Sequence, residues 1–130
     1  LGPNIVVVTS GGGYGVIAAD YIEDRNVGGE LKMAEISPDS KSRLRENLPD
    51  FASVDNPIDL TGNVTDEMFD HVFRIVNEDE NTDGILAFLL LQTPYTTDRL
   101  VEIAWWWFKN GRKPMVPCII GGQHSEEVIR

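Results

Sequence analysis

Cysteine is nearly absent from this chain: Cys118 is the only one in 130 residues. One cysteine excludes an internal disulfide and offers no zinc-ligand spacing. Its setting, "MVPCIIGG", is apolar, so Cys118 reads as a small buried hydrophobe rather than a nucleophile. Positive charge is also scarce. Eleven Lys and Arg face 21 Asp and Glu, a net charge of −10. Nonspecific nucleic-acid binding relies on clustered Lys and Arg, so nucleic acid is not an expected partner. No apolar run is long enough to span a bilayer and no signal-peptide pattern is present. The expectation is therefore no membrane partner and a cytoplasmic location.

What is present fits one domain with a real core, at 42% hydrophobic and 25% charged residues. Both ends read as cut. The first strand begins almost at Leu1, and "HSEEVIR" opens a helix that stops after about one turn, where helices usually run about three. The expectation is a single domain over residues 1–130, a fragment of a longer multidomain chain.

Strand and helix patterns alternate along it. "NIVVVT" (Asn4 to Thr9) is a continuous β-branched run, as in a strand covered on both faces. A helix follows from about Tyr14 to Asn26, with Val16, Ile17, Ala18, Ala19 and Ile22 as its apolar residues. "NVGGE" ends it. "ELKMAEI" (Glu30 to Ile36) alternates as a second strand. Ser37 caps a helix from Pro38 to near Leu48. Pro49 to Asn63, "PDFASVDNPIDLTGN", reads as a loop, and its fifteen residues are long enough to suggest function. Thr65 caps a helix to about Asn77 whose core stripe is Phe69, Val72, Phe73 and Val76. "GILAFLLLQT" (Gly84 to Thr93) is the most apolar strand and should be central. A helix from Thr97 to Asn110 stops at Gly111. "PMVPCIIGG" is a fourth strand, placed at an edge by its prolines.

This alternation implies parallel strands with right-handed helical crossovers, a three-layer α/β flavodoxin-like sheet of order 2-1-3-4, with room for a fifth strand beyond this chain. Such sheets bind ligands at the carboxyl ends of their strands, near the order reversal. The glycine cluster after Thr9 falls there. A glycine-rich turn opening a helix exposes backbone N–H groups at a positive helix end, and the usual guest is phosphate. No Gly-Lys-Ser/Thr follows, which excludes a Walker A loop. Gly13-Tyr14-Gly15-Val16-Ile17-Ala18 matches a dinucleotide fingerprint, with Glu35 at about the ribose-binding spacing. That match leaves the first glycine displaced from the strand end, and starting at Gly11 puts Val16 at the third glycine. An NAD- or FMN-binding turn and a turn that needs glycine for geometry alone both stay open.

"IVVVTSGGGYGVIAADYIE", "NPIDLTGNVTDEMF" and "DGILAFLLLQTP" together resemble the third flavodoxin-like domain of the nucleoside-diphosphate-forming acyl-CoA synthetases. These are similar to succinyl-CoA synthetase and include the ADP-forming acetyl-CoA synthetases. The likeness runs from about Asn4 to Gly122. It implies a reversible reaction of acyl-CoA, nucleoside diphosphate and phosphate, giving acid, CoA and nucleoside triphosphate through an acyl-phosphate and a phosphohistidine. Helix N-termini stabilise the phosphohistidine, and the helix opening at Gly12, Gly13, Tyr14 and Gly15 would be one of them, with Gly11 at its start. The resemblance puts the phosphorylated histidine on another domain and the nucleotide on an ATP-grasp unit. This chain would then carry no catalytic residue, metal or cofactor of its own. CoA, ADP/ATP and Mg would belong to the whole enzyme, and the partners would be its CoA-binding, phosphohistidine and ATP-grasp units. The rival classes are the NAD- or FMN-binding domain and a noncatalytic regulatory or assembly domain.

Asn56, Asp59 and Thr61 are the loop residues expected beside the glycine turn. Asn56 and Asp59 can equally organise the loop through hydrogen bonds to its backbone. Thr61 offers a hydroxyl. His71, off the apolar stripe of its helix, reads as a surface histidine. His124, after "GGQ", reads as a loop or helix-start residue at the active edge. Gln92 and Thr93 could face that edge, and Thr96 or Thr97 should cap the next helix. In "WWW", Trp107 shares the core stripe with Leu100, Ile103, Ala104 and Phe108. Trp105 and Trp106 fall on the flanks, where they cover the sheet's borders or meet another domain.

Overall fold

A computed structural model describes residues 2–24, 27, 29–91 and 93–121. Among the described residues five strands and four helices follow one another: β1 (Asn4–Thr9), α1 (Gly12–Glu23), β2 (Lys32–Met33), α2 (Pro38–Asn47), β3 (Ile58–Asp59), α3 (Asp66–Glu78), β4 (Gly84–Leu90), α4 (Arg99–Asn110) and β5 (Met115–Ile120). The strands are parallel, in the order β2-β1-β4-β5, with β3 also paired to β1. This is the expected flavodoxin-like α/β sheet. The expected order 2-1-3-4 becomes 2-1-4-5 because β3 lies inside the stretch read as loop. β4 is central and β5 is at an edge, as the apolar run and the prolines require.

The two sides of the sheet are covered unequally. On one side Val7, Ala18 and Ile22 form a small cluster under α1, with Ile5, Met33, Leu86 and Phe88 packed against it. On the other side Val6, Val8, Ile85, Ala87 and Leu89 meet Leu44 of α2, Phe69, Val72, Phe73 and Val76 of α3, and Leu100 and Ala104 of α4. Phe69 and Phe73 are wholly buried, each contributing about 2 kcal/mol by area removed from water. Their spacing follows the apolar stripe of α3.

Local signals set the helix starts. Ser37 accepts from Ser40 N at 3.2 Å, ahead of Pro38 at the first turn of α2. Thr65 accepts from Met68 N at 3.3 Å. The start of α4 differs from expectation: Asp98 occupies the N-cap position. Thr97 instead gives its hydroxyl oxygen to Arg99 N at 3.2 Å and is held by the buried carboxylate of Asp66, which accepts from Thr97 N at 3.0 Å.

Other boundaries also move. The expected strand Glu30–Ile36 shrinks to Lys32–Met33, because the edge of β1 beyond Ile5 is taken by other groups. Helix α1 begins at Gly12 rather than Tyr14 and ends at Glu23 rather than Asn26, which lies outside the described residues. Val16 and Ile17 are more than half exposed: only the arc through Gly15, Ala18 and Ile22 meets the sheet. Phe108 is exposed rather than part of the core stripe, while Trp107 packs partly buried against the core. Cys118 is half-buried on β5. Among the described residues no helix is long and apolar enough to cross a membrane.

Candidate functional site

The turn after β1 lies at the carboxyl edge of the sheet, the edge where parallel α/β sheets bind ligands. Thr9, wholly buried, organises it. Its Oγ1 accepts from Gly11 N at 2.9 Å and its hydroxyl donates to Gly11 O at 2.9 Å. Gly11 is the N-cap of α1, and no side chain caps that helix. Tyr14 N and Gly15 N donate to Gly11 O at 3.1 and 3.4 Å. Among the described residues no acceptor pairs with Gly12 N–H or Gly13 N–H. Two donors therefore stand free at the positive end of a twelve-residue helix.

The glycines serve different needs. A Cβ at Gly11 would lie 3.0 Å from Leu90 Cδ2, and one at Gly15 would lie 3.1 Å from both Pro57 Cβ and Thr9 Cγ2. These two glycines let the helix sit close on the sheet. A Cβ at Gly12 would lie 2.9 Å from Asp59 Oδ2, whereas one at Gly13 would meet nothing within 4 Å. Among the described residues, Gly13 thus faces open space. Tyr14, 40% exposed, stacks on Phe88 with ring centroids 5.7 Å apart and closes one flank.

Of the three loop residues, Asp59 reaches this turn, by a route the sequence concealed. β3 pairs with β1 at Val8 and Thr9, beside the end of β1, while β2 pairs with its start at Asn4 and Ile5. Asn56 bridges the gap between them. Its Oδ1 accepts from Val7 N at 2.9 Å, and its Nδ2 donates to Ile5 O at 2.8 Å and Ala34 O at 3.0 Å. The amide therefore acts as a strand-pairing group. The Asn56–Pro57 peptide is cis. Asp59, paired to Thr9, accepts from Thr61 N at 2.9 Å through Oδ1 and turns Oδ2 toward Gly12. α1 has no acidic residue in its own first turn, so Asp59 supplies negative charge to that helix end from the neighbouring strand. Thr61 has φ 64°, in the left-handed region that a β-branched residue rarely enters.

Thr9, Ser10 and Pro57 were not singled out in the sequence. Ser10 is 4% exposed, and its Oγ has no hydrogen-bond partner among the described residues. The adjacent serine and the proline of "NP" were visible, but their roles depend on strand pairing across the fold. Thr93 and Thr96 share a hydroxyl contact of 2.5 Å in the turn after β4. His71 is half-buried on α3, whereas Gln92, His124 and the expected helix in "HSEEVIR" lie outside the described residues. No group of three or more His, Cys, Asp or Glu gathers among the described residues to hold a metal. A cavity of about 900 Å³ opens at the opposite, amino end of the sheet, lined by Gly2, Pro3, Glu23, Glu30 and Lys32 among others. It contains none of the candidate residues.

Comparison with known proteins agrees with this fold. Residues 5–127 match the model of the Ligase-CoA domain family. The chain is 31% identical over 130 aligned residues to the acetate–CoA ligase [ADP-forming] I of Archaeoglobus fulgidus, covering 98% of this chain and 18% of that protein. Among solved structures, PH0766 from Pyrococcus horikoshii OT3 superposes with a TM-score of 0.84 at 27% identity, over 98% of this chain and 29% of that one. The dinucleotide forming acetyl-coenzyme A synthetase 1 of Ca. Korarchaeum cryptofilum, in complex with phosphate and ADP, superposes with a TM-score of 0.76 at 26% identity, over 98% of this chain and 27% of that one. The chain thus spans less than a third of each of these relatives. With the fold and the family model in agreement, this chain belongs to the Ligase-CoA domain family of the ADP-forming acyl-CoA synthetases.

Proposed function

We propose that this chain is one domain of a longer nucleoside-diphosphate-forming acyl-CoA synthetase, and that the N-terminus of α1 cradles the phosphoryl group carried by a histidine of another unit. The observation that carries the reading is the pair of donors, Gly12 N–H and Gly13 N–H, that have no acceptor among the described residues at the N-terminal end of α1. Phosphoryl transfer needs fixed dipoles and oriented N–H groups more than covalent help from the protein. The peptide dipoles of α1 supply both without reorganising during the reaction.

In this reading Gly13 is the point of approach, since it is open while the Asp59 carboxylate stands against Gly12. Thr9 holds the turn through Gly11, and Asp59 holds the following loop through Thr61. The donors are thereby positioned before the phosphoryl group arrives. No step by which the acyl group moves falls to this chain. CoA, ADP/ATP and Mg would be held by the other units of the synthetase. The relative whose structure is in complex with phosphate and ADP supports a synthetase that handles both.

The test is phosphoenzyme formation by the complete synthetase carrying Gly13→Ala. A methyl group at that open position should lower the phosphoenzyme level at least tenfold while the domain stays folded. Unchanged phosphoenzyme would remove the cradle from this helix.

A further inference from the structure

α4 carries the chain's three tryptophans in a row, and two of them are left in solvent. Trp105 is 55% exposed, Trp106 54% and Phe108 47%. Trp107 turns the other way, packing against the core and donating its Nε1–H to Asp70 Oδ1 at 2.8 Å. The exposed rings are ordered against one another. Trp105 stacks on Phe108 with centroids 5.4 Å apart, and Trp106 meets Trp107 edge-on at 4.8 Å. Together they expose on the order of 300 Å² of aromatic surface, enough to be the apolar centre of an interface.

Charge identifies what would cover it. The chain is strongly acidic, yet Lys109, Arg112 and Lys113 close the end of this helix, and none forms an ion pair among the described residues. Lys109 Nζ instead sits 4.9 Å from the Trp105 ring centroid, where the ring attracts a cation. In contrast, Arg43, Arg74 and Arg99 each meet a carboxylate of this chain. The aromatic centre has cations at the C-terminal end of the helix and Glu102 one turn before Trp106, which suits a partner that is apolar in the middle and acidic on the side facing Lys109, Arg112 and Lys113.

We propose that the Trp105–Phe108 ridge of α4 docks another unit of the same synthetase, through a partner surface of apolar residues with carboxylates on the side that meets Lys109, Arg112 and Lys113. This rests on the reading of the chain as one domain of a larger synthetase. The stretch of relatives lying outside the matched region, more than two thirds of each, supplies room for such a unit. Interface hot spots favour tryptophan at the centre, with near-neutral contacts around it excluding water.

The experiment places the photo-crosslinker benzoylphenylalanine at position 105 of the complete synthetase, with position 80 as an exposed control. The expected result is a covalent link from position 105 to a carboxylate-bearing segment outside residues 1–130, at several times the yield of the control. Lys109→Glu, at an exposed position that leaves the fold intact, should cut that yield at least tenfold. A yield no higher than the control, a link to the same helix in a second copy, or indifference to Lys109→Glu would each overturn the proposal. Acyl-CoA formation is measured on the same unsubstituted protein. Its absence would sink the synthetase reading, whereas an active preparation without the crosslink would sink only the docking surface.

Discussion

The carboxylate of Asp59 lies against Gly12, so that a side chain at Gly12 would place its Cβ 2.9 Å from Asp59 Oδ2. The next glycine has no such neighbour. Gly12→Ala and Gly13→Ala should therefore differ in sign. At Gly13 alanine meets open space in the first turn of a helix, where it is preferred over glycine by about 0.5–1 kcal/mol. At Gly12 the same methyl must displace Asp59, which would release Thr61 N from its hydrogen bond at a cost of roughly 1–2 kcal/mol. Urea unfolding of the two variants checks this; equal effects would mean that Asp59 yields freely.

Asn56 joins three backbone groups across the gap between β2 and β3. Asn56→Ala should leave Val7 N, Ile5 O and Ala34 O without that partner, and destabilise the domain by about 3 kcal/mol. Asn56→Asp should be at least as costly, since it keeps the acceptor for Val7 N but faces two carbonyls without a donor. Chemical denaturation of both variants is the measurement, and a loss below about 1 kcal/mol would show that water replaces the amide.

These two positions also show what the sequence could disclose. The caps Ser37 and Thr65 were legible because a cap and its helix lie within four residues. The sheet was legible because β1 and β4 are apolar runs with helical patterns between them. β3 was not, because a two-residue strand has no periodicity and exists only through its pairing to Val8 and Thr9. The arc of α1 that meets the sheet was hidden for a related reason. Val16 and Ile17 are as apolar as Ile22, and the close approach of Pro57 and Thr9 to Gly15, with Ala18 and Ile22 packed near Val7, sets which arc meets the sheet. The glycine turn could be found, but the different task of each glycine depended on Leu90, Asp59 and Pro57, all distant in sequence.

The ion pair of Lys41 Nζ and Asp55 Oδ1, at 2.8 Å, ties the first turn of α2 to the loop before β3. Hydrogen bonding to Lys41, then its charge, lowers the Asp55 pKa from 3.8. The same contacts from Asp55 raise the Lys41 pKa from 10.5. The carboxylate's contribution is present above its ordinary pKa and lost as pH falls through the lowered value. The ammonium's contribution is present below its ordinary pKa and lost as pH rises through the raised value. The pair is thus intact between those limits and fails at both extremes. Both groups are solvent-exposed, so salt should weaken the effect. Lys41→Met should move the Asp55 titration upward toward 3.8 in a carboxyl NMR series, with no change in fold; an unmoved titration would show that the pair does not persist in solution.

Gly111 ends α4 against a surface that leaves no room for a side chain. A Cβ there would lie 2.6 Å from Asn77 Oδ1 and 2.6 Å from Trp107 O. Asn77 cannot swing aside cheaply, because its Oδ1 accepts from Lys113 N at 3.0 Å and its Nδ2 donates to Phe73 O at 2.7 Å. Trp107 O is backbone and accepts from Gly111 N at 2.8 Å. Gly111 has φ −67°, so the obstacle is space and not backbone conformation. Gly111→Ala should therefore lower stability by about 2–3 kcal/mol. Asn77→Ala in the same chain should restore part of the loss, because it removes one of the two clashes while sacrificing a buried amide. A double-mutant cycle in urea measures the coupling. Additive losses would mean that the carbonyl of Trp107, rather than Asn77, keeps glycine at this position.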